Sequence, residues 1–322
     1  MDEALLASML ASTLRMATPL ILCALAGLWA ERSGVVDIGL EGKMLAAAFA
    51  AGAIGALYPT TWVAVVVAMA VAVLMSWLHG LACVSHGGDQ VVSGVALNII
   101  APGLTAVVGI ALFAQGGQTP PVSDAVRIQA LWPSMVDALQ GVPVLGAVLG
   151  QGLLSHNILV YVALALVPVS WWLLFRTRFG LRLRAVGENP QMVEAAGVSV
   201  KGLRYTALTM NGLLCGLAGS YMVLAQNANF TPNMTAGRGF MALAALIFGR
   251  WHPVGAFLAC LLFGFLDAAA IRLQGVHLPG IGEVPVQFIQ ALPYVLTVVL
   301  LAGFIGKAIA PAALGQPYSK ER

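Results

Sequence analysis

Three acidic residues, Glu31, Asp37 and Glu41, fall within one glycine-rich stretch between two apolar runs. Ionisable groups are costly in apolar surroundings, so they are usually retained for function or paired with an opposite charge. The stretch therefore predicts one of two arrangements. The acids line a polar pathway, or they form internal ion pairs with Arg32 or Lys43, and the sequence leaves both open.

Four further residues within apolar runs are able to contact a small molecule. The amide of Asn98 can donate and accept hydrogen bonds, although hydrogen bonding between helices is its alternative role. Asp267 is the one acid deep in its apolar run, which indicates either the pathway or a polar contact between helices. Phe49 and Phe240 can stack on a planar ring or simply pack. The candidate pathway residues are Asp37, Glu41, Phe49, Asn98, Phe240 and Asp267.

Catalytic chemistry is not indicated by the remaining residues. The five histidines are scattered, with no HExxH motif and no carboxylate at ligand spacing. The run GLEGK over Gly39–Lys43 is close to a phosphate-binding loop, but Asp37 stands where GxxxxGK requires its first glycine. The sequence therefore predicts no catalytic residue, no metal site and no cofactor or nucleotide held by this chain.

The composition places these residues in a membrane protein. Of 322 residues, 60% are hydrophobic and 9% are charged, and the mean hydropathy is +0.90. Soluble domains carry about 25% charged residues. The net charge of +3 resides in loops, and no basic patch is interleaved with exposed aromatic residues, so nucleic acid is not an expected partner.

The apolar runs predict about nine spanning helices, because a helix needs roughly 20 mostly apolar residues to cross a bilayer. They are Leu5–Ala30, Met44–Leu57, Trp62–Val84, Val91–Ala114, Ile158–Phe175, Thr206–Ala225, Gly239–Phe248, Val254–Ile271 and Phe288–Ile305. The predicted fold is all-α, a polytopic membrane protein with a single domain over residues 1–322.

The segment Arg176–Arg204 concentrates positive charge in a chain that has little of it. Cytoplasmic loops collect Lys and Arg, so this segment is predicted to lie inside. Alternating outward from it places every other Lys and Arg inside except Arg15, Arg127, Arg238 and Arg272. The same alternation puts the N-terminus outside.

The same segment contains a predicted short helix. Asn189-Pro190 ends one turn and opens another, and QMVEAAG then indicates a helix that ends at Gly197. A short helix at the membrane surface is typical of a docking element. An ordinary topogenic loop is the alternative, and it explains the cations alone.

A faint internal repeat suggests two related halves. GKMLAAAF from Gly42 matches GFMALAAL from Gly239 at four positions, and at the same spacing Gln90 corresponds to Gln287. The predicted topology makes the two matching spans run in opposite directions, which gives a plan of four spans, one odd span and four inverted spans. Short helices in corresponding positions of inverted halves indicate a substrate site near the middle of the membrane.

Four blocks carry a resemblance to a known family. ERSGVVDIGLEGKML (Glu31–Leu45), GDQVVSGVALNIIAPGLT (Gly88–Thr105), RFGLRLRAVGENPQMVEAAGV (Arg178–Val198) and MTAGRGFMALAALIFGRWHPVGA (Met234–Ala256) closely resemble permeases of bacterial ABC importers. The branch is that of ribose-type sugar and branched-chain amino-acid permeases, and the nucleoside sub-branch, served by basic-membrane-protein lipoproteins, is the most similar.

The resemblance implies a fold of the type II ABC importer class and a set of partners. These are a cytoplasmic ATPase that uses ATP, a second permease subunit (a related paralogue or a copy of this chain) and an extracytoplasmic substrate-binding lipoprotein. In such permeases a loop with EAA and a following glycine docks on the ATPase, and here the glycine follows unusually soon. The coupling residues carried over are Glu188, Asn189, Pro190, Glu194, Ala195, Ala196 and Gly197.

The function expected from the resemblance is that of a transmembrane subunit of an importer, in the bacterial inner membrane, for a small molecule of the nucleoside class. Asp37 stands where nucleoside permeases usually carry Asn and where sugar permeases carry an acid. A simple-sugar permease is therefore one alternative. An ion-coupled secondary transporter, with Asp267 or Glu41 as the coupling carboxylate, is the other.

Overall fold

The computed structural model describes residues 3–139, 146–273, 277–278, 282–283, 291, 295, 299 and 309–318. Its helices are α1 (Glu3–Arg32), α2 (Leu40–Leu57), α3 (Thr61–Gly80), α4 (Gln90–Phe113), α5 (Pro133–Leu139), α6 (Ile158–Arg176), α7 (Arg178–Glu188), α8 (Pro190–Ala195), α9 (Val200–Ser220), α10 (Arg238–Phe248) and α11 (Pro253–Leu273). Three π-helical segments are Leu81–Ser85 after α3, Gly146–Leu154, and Tyr221–Asn227 after α9. One short antiparallel pair joins β1 (His277–Leu278) to β2 (Gly282–Glu283). The helical fold class is confirmed.

Seven helices in the described part of the chain are long and apolar enough to cross a membrane. They match seven of the nine predicted spans, but the count of nine is not confirmed. The predicted span Gly239–Phe248 is helix α10, whose 11 residues extend about 16 Å, roughly half of a hydrocarbon core of about 30 Å. The predicted span Phe288–Ile305 lies outside the described residues apart from 291, 295 and 299.

Short polar side chains begin the helices that follow loops. Asp89 accepts a hydrogen bond from Val92 N at 2.9 Å and so caps α4. Asn157, Thr177 and Ser199 cap α6, α7 and α9 in the same way. Each cap satisfies an N–H group that has no partner within its own helix, which is why these residue types recur at helix starts.

The centre of the bundle is built from α1, α2, α3 and α9. Small residues let their backbones approach closely, since a Cβ at Gly212 or Gly216 of α9 would collide with the α3 backbone at Val73 or Met69. A Cβ at Gly219 would lie 2.6 Å from Met44 O of α2. This glycine face of α9 is therefore a packing surface between helices.

Two helices, α2 and α10, begin inside the bundle rather than at its surface. We call the end that carries Arg176–Arg204 the basic end. Helix α1 finishes there, and the Arg32 Nε donates to Trp251 O (2.8 Å), three residues past the end of α10. Helix α10 therefore ends at the basic end and begins about 16 Å deeper. Its first turn meets Glu41 at the start of α2.

Helix α2 runs from that meeting point to the opposite end. Gly52 and Gly55 in its second half lie against Val223 and Leu224 of the π-helical segment that follows α9. Helix α9 begins at the basic end, so the π-helical segment after it lies at the opposite end. We call α2 and α10 the two broken helices because both begin inside the bundle. They run in opposite directions from a shared interior point. This arrangement agrees with the inverted repeat inferred from Gly42 and Gly239.

Candidate functional site

A cavity of about 440 Å³ lies where the first turns of α2 and α10 meet the side of α4. Small-molecule sites typically enclose about 300–1,000 Å³. The walls include Glu41, Gly42, Asn98, Asn233, Thr235 and Phe240. We call this space the central cavity. Three of the candidate pathway residues, Glu41, Asn98 and Phe240, thus come together from three different helices.

A larger groove of about 770 Å³ lies between α3 and α9 on the outer face of the bundle. Most of its lining is apolar, as at Leu74, Trp77 and Leu81, and its described lining residues include no carboxylate, amine or imidazole. Exposed apolar surface of this kind on spanning helices suits lipid or another apolar helix. The smaller central cavity is the better candidate for a polar solute.

The Glu41 carboxylate holds the start of α10. One oxygen accepts from Gly237 N at 2.8 Å and the other from Gly239 N at 2.6 Å. A helix begins with N–H groups that have no internal partner and with a partial positive charge, so an anionic side chain is stabilising there. A Cβ on Gly239 would lie 2.5 Å from Glu41 N, which explains the glycine at that position.

The Asn98 amide holds the start of α2 in a related way. Its Oδ1 accepts from Gly42 N at 2.8 Å, and its Nδ2 donates to Ile38 O at 2.9 Å. These backbone groups stand at the i and i−4 positions that an α-helix would join directly, so the side chain takes the place of one helical hydrogen bond. The alternative role that the sequence left open for Asn98, a hydrogen bond between helices, is what the structure shows.

The rest of the wall comes from Phe240 and from the loop that precedes α10. Phe240 is 48% exposed, although it stands in the first turn of a helix that starts inside the bundle. Asn233 and Thr235 add an amide and a hydroxyl. Sequence reasoning missed both loop residues, and their one signal was a turn-forming run, TPNMTAGRG, between two apolar helices.

Asp37 lies behind the cavity wall rather than on it. Its carboxylate pairs with Lys43 Nζ at 2.5 Å, and both side chains are fully buried. The second oxygen accepts from Gly39 N at 3.1 Å. The internal ion pair was one of the two arrangements that the sequence allowed, with Lys43 rather than Arg32 as the partner.

A polar network surrounds that ion pair. The Lys43 ammonium also donates to the Asn211 Oδ1 at 3.0 Å, and Ser76 Oγ donates to the same oxygen at 2.9 Å. The Asn211 Nδ2 donates to Ala26 O at 3.0 Å. The pair therefore fastens the start of α2 to α1, α3 and α9, which supports the cavity wall from behind.

The last two candidate pathway residues do not line the central cavity. Phe49 is buried and packs edge-on against Phe230, with ring centroids 5.3 Å apart. Asp267 lies half-buried on α11. No group of three or more His, Cys, Asp or Glu in the described residues is placed to hold a metal ion.

The segment Arg176–Arg204, which we call the coupling segment, contains the short helix that the sequence indicates. Asn189 caps α8 by accepting from Met192 N at 3.0 Å, and Pro190 occupies its first turn. Gly197 has φ +77°, a left-handed conformation that glycine adopts at little cost and that commonly ends a helix. Val193 anchors the helix because it packs into a small apolar cluster with neighbours such as Val186.

Apart from Gln191, the exposed residues of α8 and of the turn after it are small or apolar. Ala195, Ala196 and Gly197 are exposed, and Met192 is 69% exposed. Exposed Met side chains are typical of adaptable protein-binding surfaces. Sequence reasoning missed Met192 because a single Met in a short helix carries no periodic signal.

Glu188 and Glu194 face the C-terminal residues of the chain. The Glu188 carboxylate accepts from Ala312 N at 3.2 Å, and the Glu194 carboxylate accepts from the Tyr318 hydroxyl. Met192 is therefore an exposed side chain on α8 that is free to meet a partner, whereas Glu194 contacts the C-terminal residues.

Comparisons with known proteins give a consistent result. The family model described as "Branched-chain amino acid transport system / permease component" matches residues 9–304. The chain is 40% identical to a guanosine ABC transporter permease protein of Bacillus subtilis over 96% of this chain and 95% of that protein. It is 38% identical to a nucleoside ABC transporter permease protein of Lactococcus lactis, over 97% and 96% of the two chains. It is 31% identical to a putative glucose ABC transporter permease protein of Haloferax volcanii, over 98% of both.

Proposed function

We propose that this chain, which belongs to the family of permease components of the branched-chain amino acid transport system, carries nucleosides through the central cavity. As a member of this family the chain is a membrane transport permease and not an enzyme, with several spans in the bacterial inner membrane. It works as a subunit of an ABC importer, in general with an ATPase, a second permease subunit and a substrate-binding protein.

The polarity of the central cavity is the observation that favours a nucleoside. Among the described residues that line it, Glu41 is the one carboxylate and no Lys or Arg is present. A phosphate or free carboxylate on the solute would meet Glu41 with no cation to compensate, so the site suits a neutral solute. Nucleotides and amino acids are therefore disfavoured as solutes.

Hydrogen bonding and stacking narrow the class further. Asn233 and Thr235 offer an amide and a hydroxyl to a ribose or to the edge of a base. The half-exposed ring of Phe240 offers a face on which a planar base can stack. Two of the three relatives compared are described as guanosine or nucleoside permeases, which supports the same class.

A simple sugar is the second candidate, since a neutral polyhydroxyl solute also satisfies the charge argument and the third relative is described as a putative glucose permease. The ring of Phe240 separates the two classes, because stacking is worth about 0.5–1.5 kcal/mol beyond the buried area. The ion-coupled alternative is not retained, because the family and its relatives are parts of ABC transporters.

The test is uptake of labelled guanosine and labelled glucose by cells that express the complete transporter. Phe240→Ala should raise the half-saturating guanosine concentration about tenfold, and Phe240→Trp should restore it. Phe265→Ala is the matched control, since Phe265 is 46% exposed on α11 and does not line the cavity. If the cells take up labelled glucose and excess guanosine does not reduce that uptake, a nucleoside site would be contradicted.

For coupling, the exposed apolar face of α8 is the surface that docks on the ATPase. Met192 and the small residues Ala195, Ala196 and Gly197 are exposed, and the preceding helix α7 carries exposed cations. The other proposed partners are an extracytoplasmic lipoprotein, which binds the substrate, and a second permease, which is either a paralogue or a copy of this chain. Met192→Lys should release the ATPase from the solubilised complex, whereas Met135→Lys, at an exposed Met on α5, should not.

A further inference from the structure

The C-terminal segment Ile309–Tyr318 lies across the basic end and holds both helices of the coupling segment. Ala313 N donates to Gly187 O at 2.8 Å, near the end of α7. The Tyr318 hydroxyl donates to the Glu194 carboxylate on α8. The segment therefore follows any movement of the helix that we assign to ATPase docking.

The same segment also holds the stretch that enters the membrane interior from α1. Gly315 N donates to Gly34 O at 3.2 Å. Gly34 has φ +84°, a conformation that makes a sharp change of direction immediately after α1. A Cβ on Gly187 would collide with Arg32 O, so α7, the end of α1 and the C-terminal segment meet with almost no space between their backbones.

A buried cation lies at this meeting point. Arg204, at the start of α9, is fully buried, and its Nε donates to Ser33 O at 3.3 Å. Its guanidinium lies 5.9 Å from the centre of the Tyr318 ring. Within the described residues its two Nη atoms have no hydrogen-bond partner, so the ring of Tyr318 is a substantial part of the polar environment of this cation.

From Gly34 the chain leads directly to the central cavity. Five residues separate Gly34 from the first residue of α2, Leu40. Glu41, the next residue, holds the start of α10 through two hydrogen bonds. A displacement of Gly34 therefore moves the start of α2, and with it the contact that defines the cavity, through backbone rather than through flexible side chains.

We propose that Ile309–Tyr318 is a mechanical tie that couples α8 to the central cavity, so that movement imposed on α8 by the ATPase displaces Gly34 and the start of α2. The proposal rests on the docking role of α8 given above. Glu194 and Tyr318 are positioning residues in this arrangement, and they do not contact the solute. The tie explains why an acid of the coupling segment contacts the C-terminal segment.

The experiment uses the complete transporter, purified with its ATPase and reconstituted in vesicles, with guanosine as the transported probe. Tyr318→Phe removes the hydroxyl that reaches Glu194 and keeps the ring over Arg204. A second variant ends the chain after residue 308. In both, the ATPase should remain bound, and the guanosine imported per ATP hydrolysed should fall, by about tenfold for Tyr318→Phe, because a hydrogen bond to a charged group is lost.

Gln316→Ala is the matched control, since this exposed side chain bonds only to Ala312 O within the same segment among the described residues. It should leave the ratio of transport to hydrolysis unchanged. A wild-type ratio in both test variants, or loss of the ATPase from Tyr318→Phe, would overturn the tie. If Met192→Lys leaves the ATPase bound, the docking role of α8 is wrong and the tie is wrong with it. If Met192→Lys releases the ATPase but both test variants keep the wild-type ratio, the tie alone is wrong.

Discussion

Glu41 offers the sharpest test of how the central cavity is built. The Glu41→Gln variant keeps the length of the side chain but replaces one acceptor oxygen with an NH₂ group that faces the N–H of Gly237 or Gly239. One charge-assisted hydrogen bond, worth about 1.5–3 kcal/mol, is lost. The favourable contact of a negative charge with the start of α10 is lost as well, and that is worth about 0.3–1 kcal/mol.

A loss of this size should lower the thermal stability of the purified permease and raise the half-saturating guanosine concentration about tenfold or more. Asp124→Asn is the control, because Asp124 makes an exposed ion pair with Arg127 at 3.7 Å, and such pairs contribute about 0–1 kcal/mol. Equal stability and equal uptake in Glu41→Gln and the wild type would refute the view that Glu41 joins the two broken helices.

Three further predictions follow from the same contacts. Lys43→Met leaves Asp37 buried without its partner, so it should lose about 3–5 kcal/mol of stability and be nearly absent from membranes, while the double variant Asp37→Asn, Lys43→Met should recover most of that level on immunoblots. Asn98→Leu removes both hydrogen bonds that secure the first turn of α2, so thermal stability should fall by about 1–3 kcal/mol together with uptake, and a change in uptake alone would contradict this dual role. A cysteine introduced at position 192 should resist a membrane-impermeant thiol reagent in intact cells and react in inverted vesicles stripped of the ATPase, and labelling in intact cells would overturn the predicted orientation.

The sequence could predict the helical class and the importance of α2 and α10 because both depend on local patterns. Long apolar runs are required for crossing a bilayer, and the match between Gly42 and Gly239 identifies the two broken helices before any contact is known. Glu41 and Asn98 stand out because polar groups are costly in such surroundings. Their meeting in one cavity is consistent with that reasoning.

The remaining features depend on contacts between distant parts of the chain. Arg32 and Lys43 are both close to Asp37 in sequence. Lys43 is the partner because its ammonium group is also held by a hydrogen bond to Asn211, a residue distant in the chain. Asn233 reaches the cavity from a loop whose composition indicates a turn and nothing more. The contact of Glu194 with Tyr318 joins residues far apart in the chain, so no local pattern could show that Glu194 faces inward.

The position of helix α10 was predicted, but its role as a full span is not confirmed. The apolar run is about half of the roughly 20 residues that a full span needs, but the preceding loop gave no measure of how deeply the helix enters the bundle. The depth is set by Glu41, which fixes the start of α10 beside the start of α2.

Binding of the solute in the central cavity should protect the residues that line it from chemical labelling. The four native cysteines are buried, and a variant without them can carry a single new cysteine at Ile99, which is 70% exposed on α4 and lines the cavity. Val107→Cys on the same helix, 67% exposed and away from the cavity, is the control. We predict that guanosine slows the reaction of a small thiol reagent with Ile99→Cys and leaves Val107→Cys unaffected. Unchanged labelling of Ile99→Cys in a variant that still imports guanosine would contradict it.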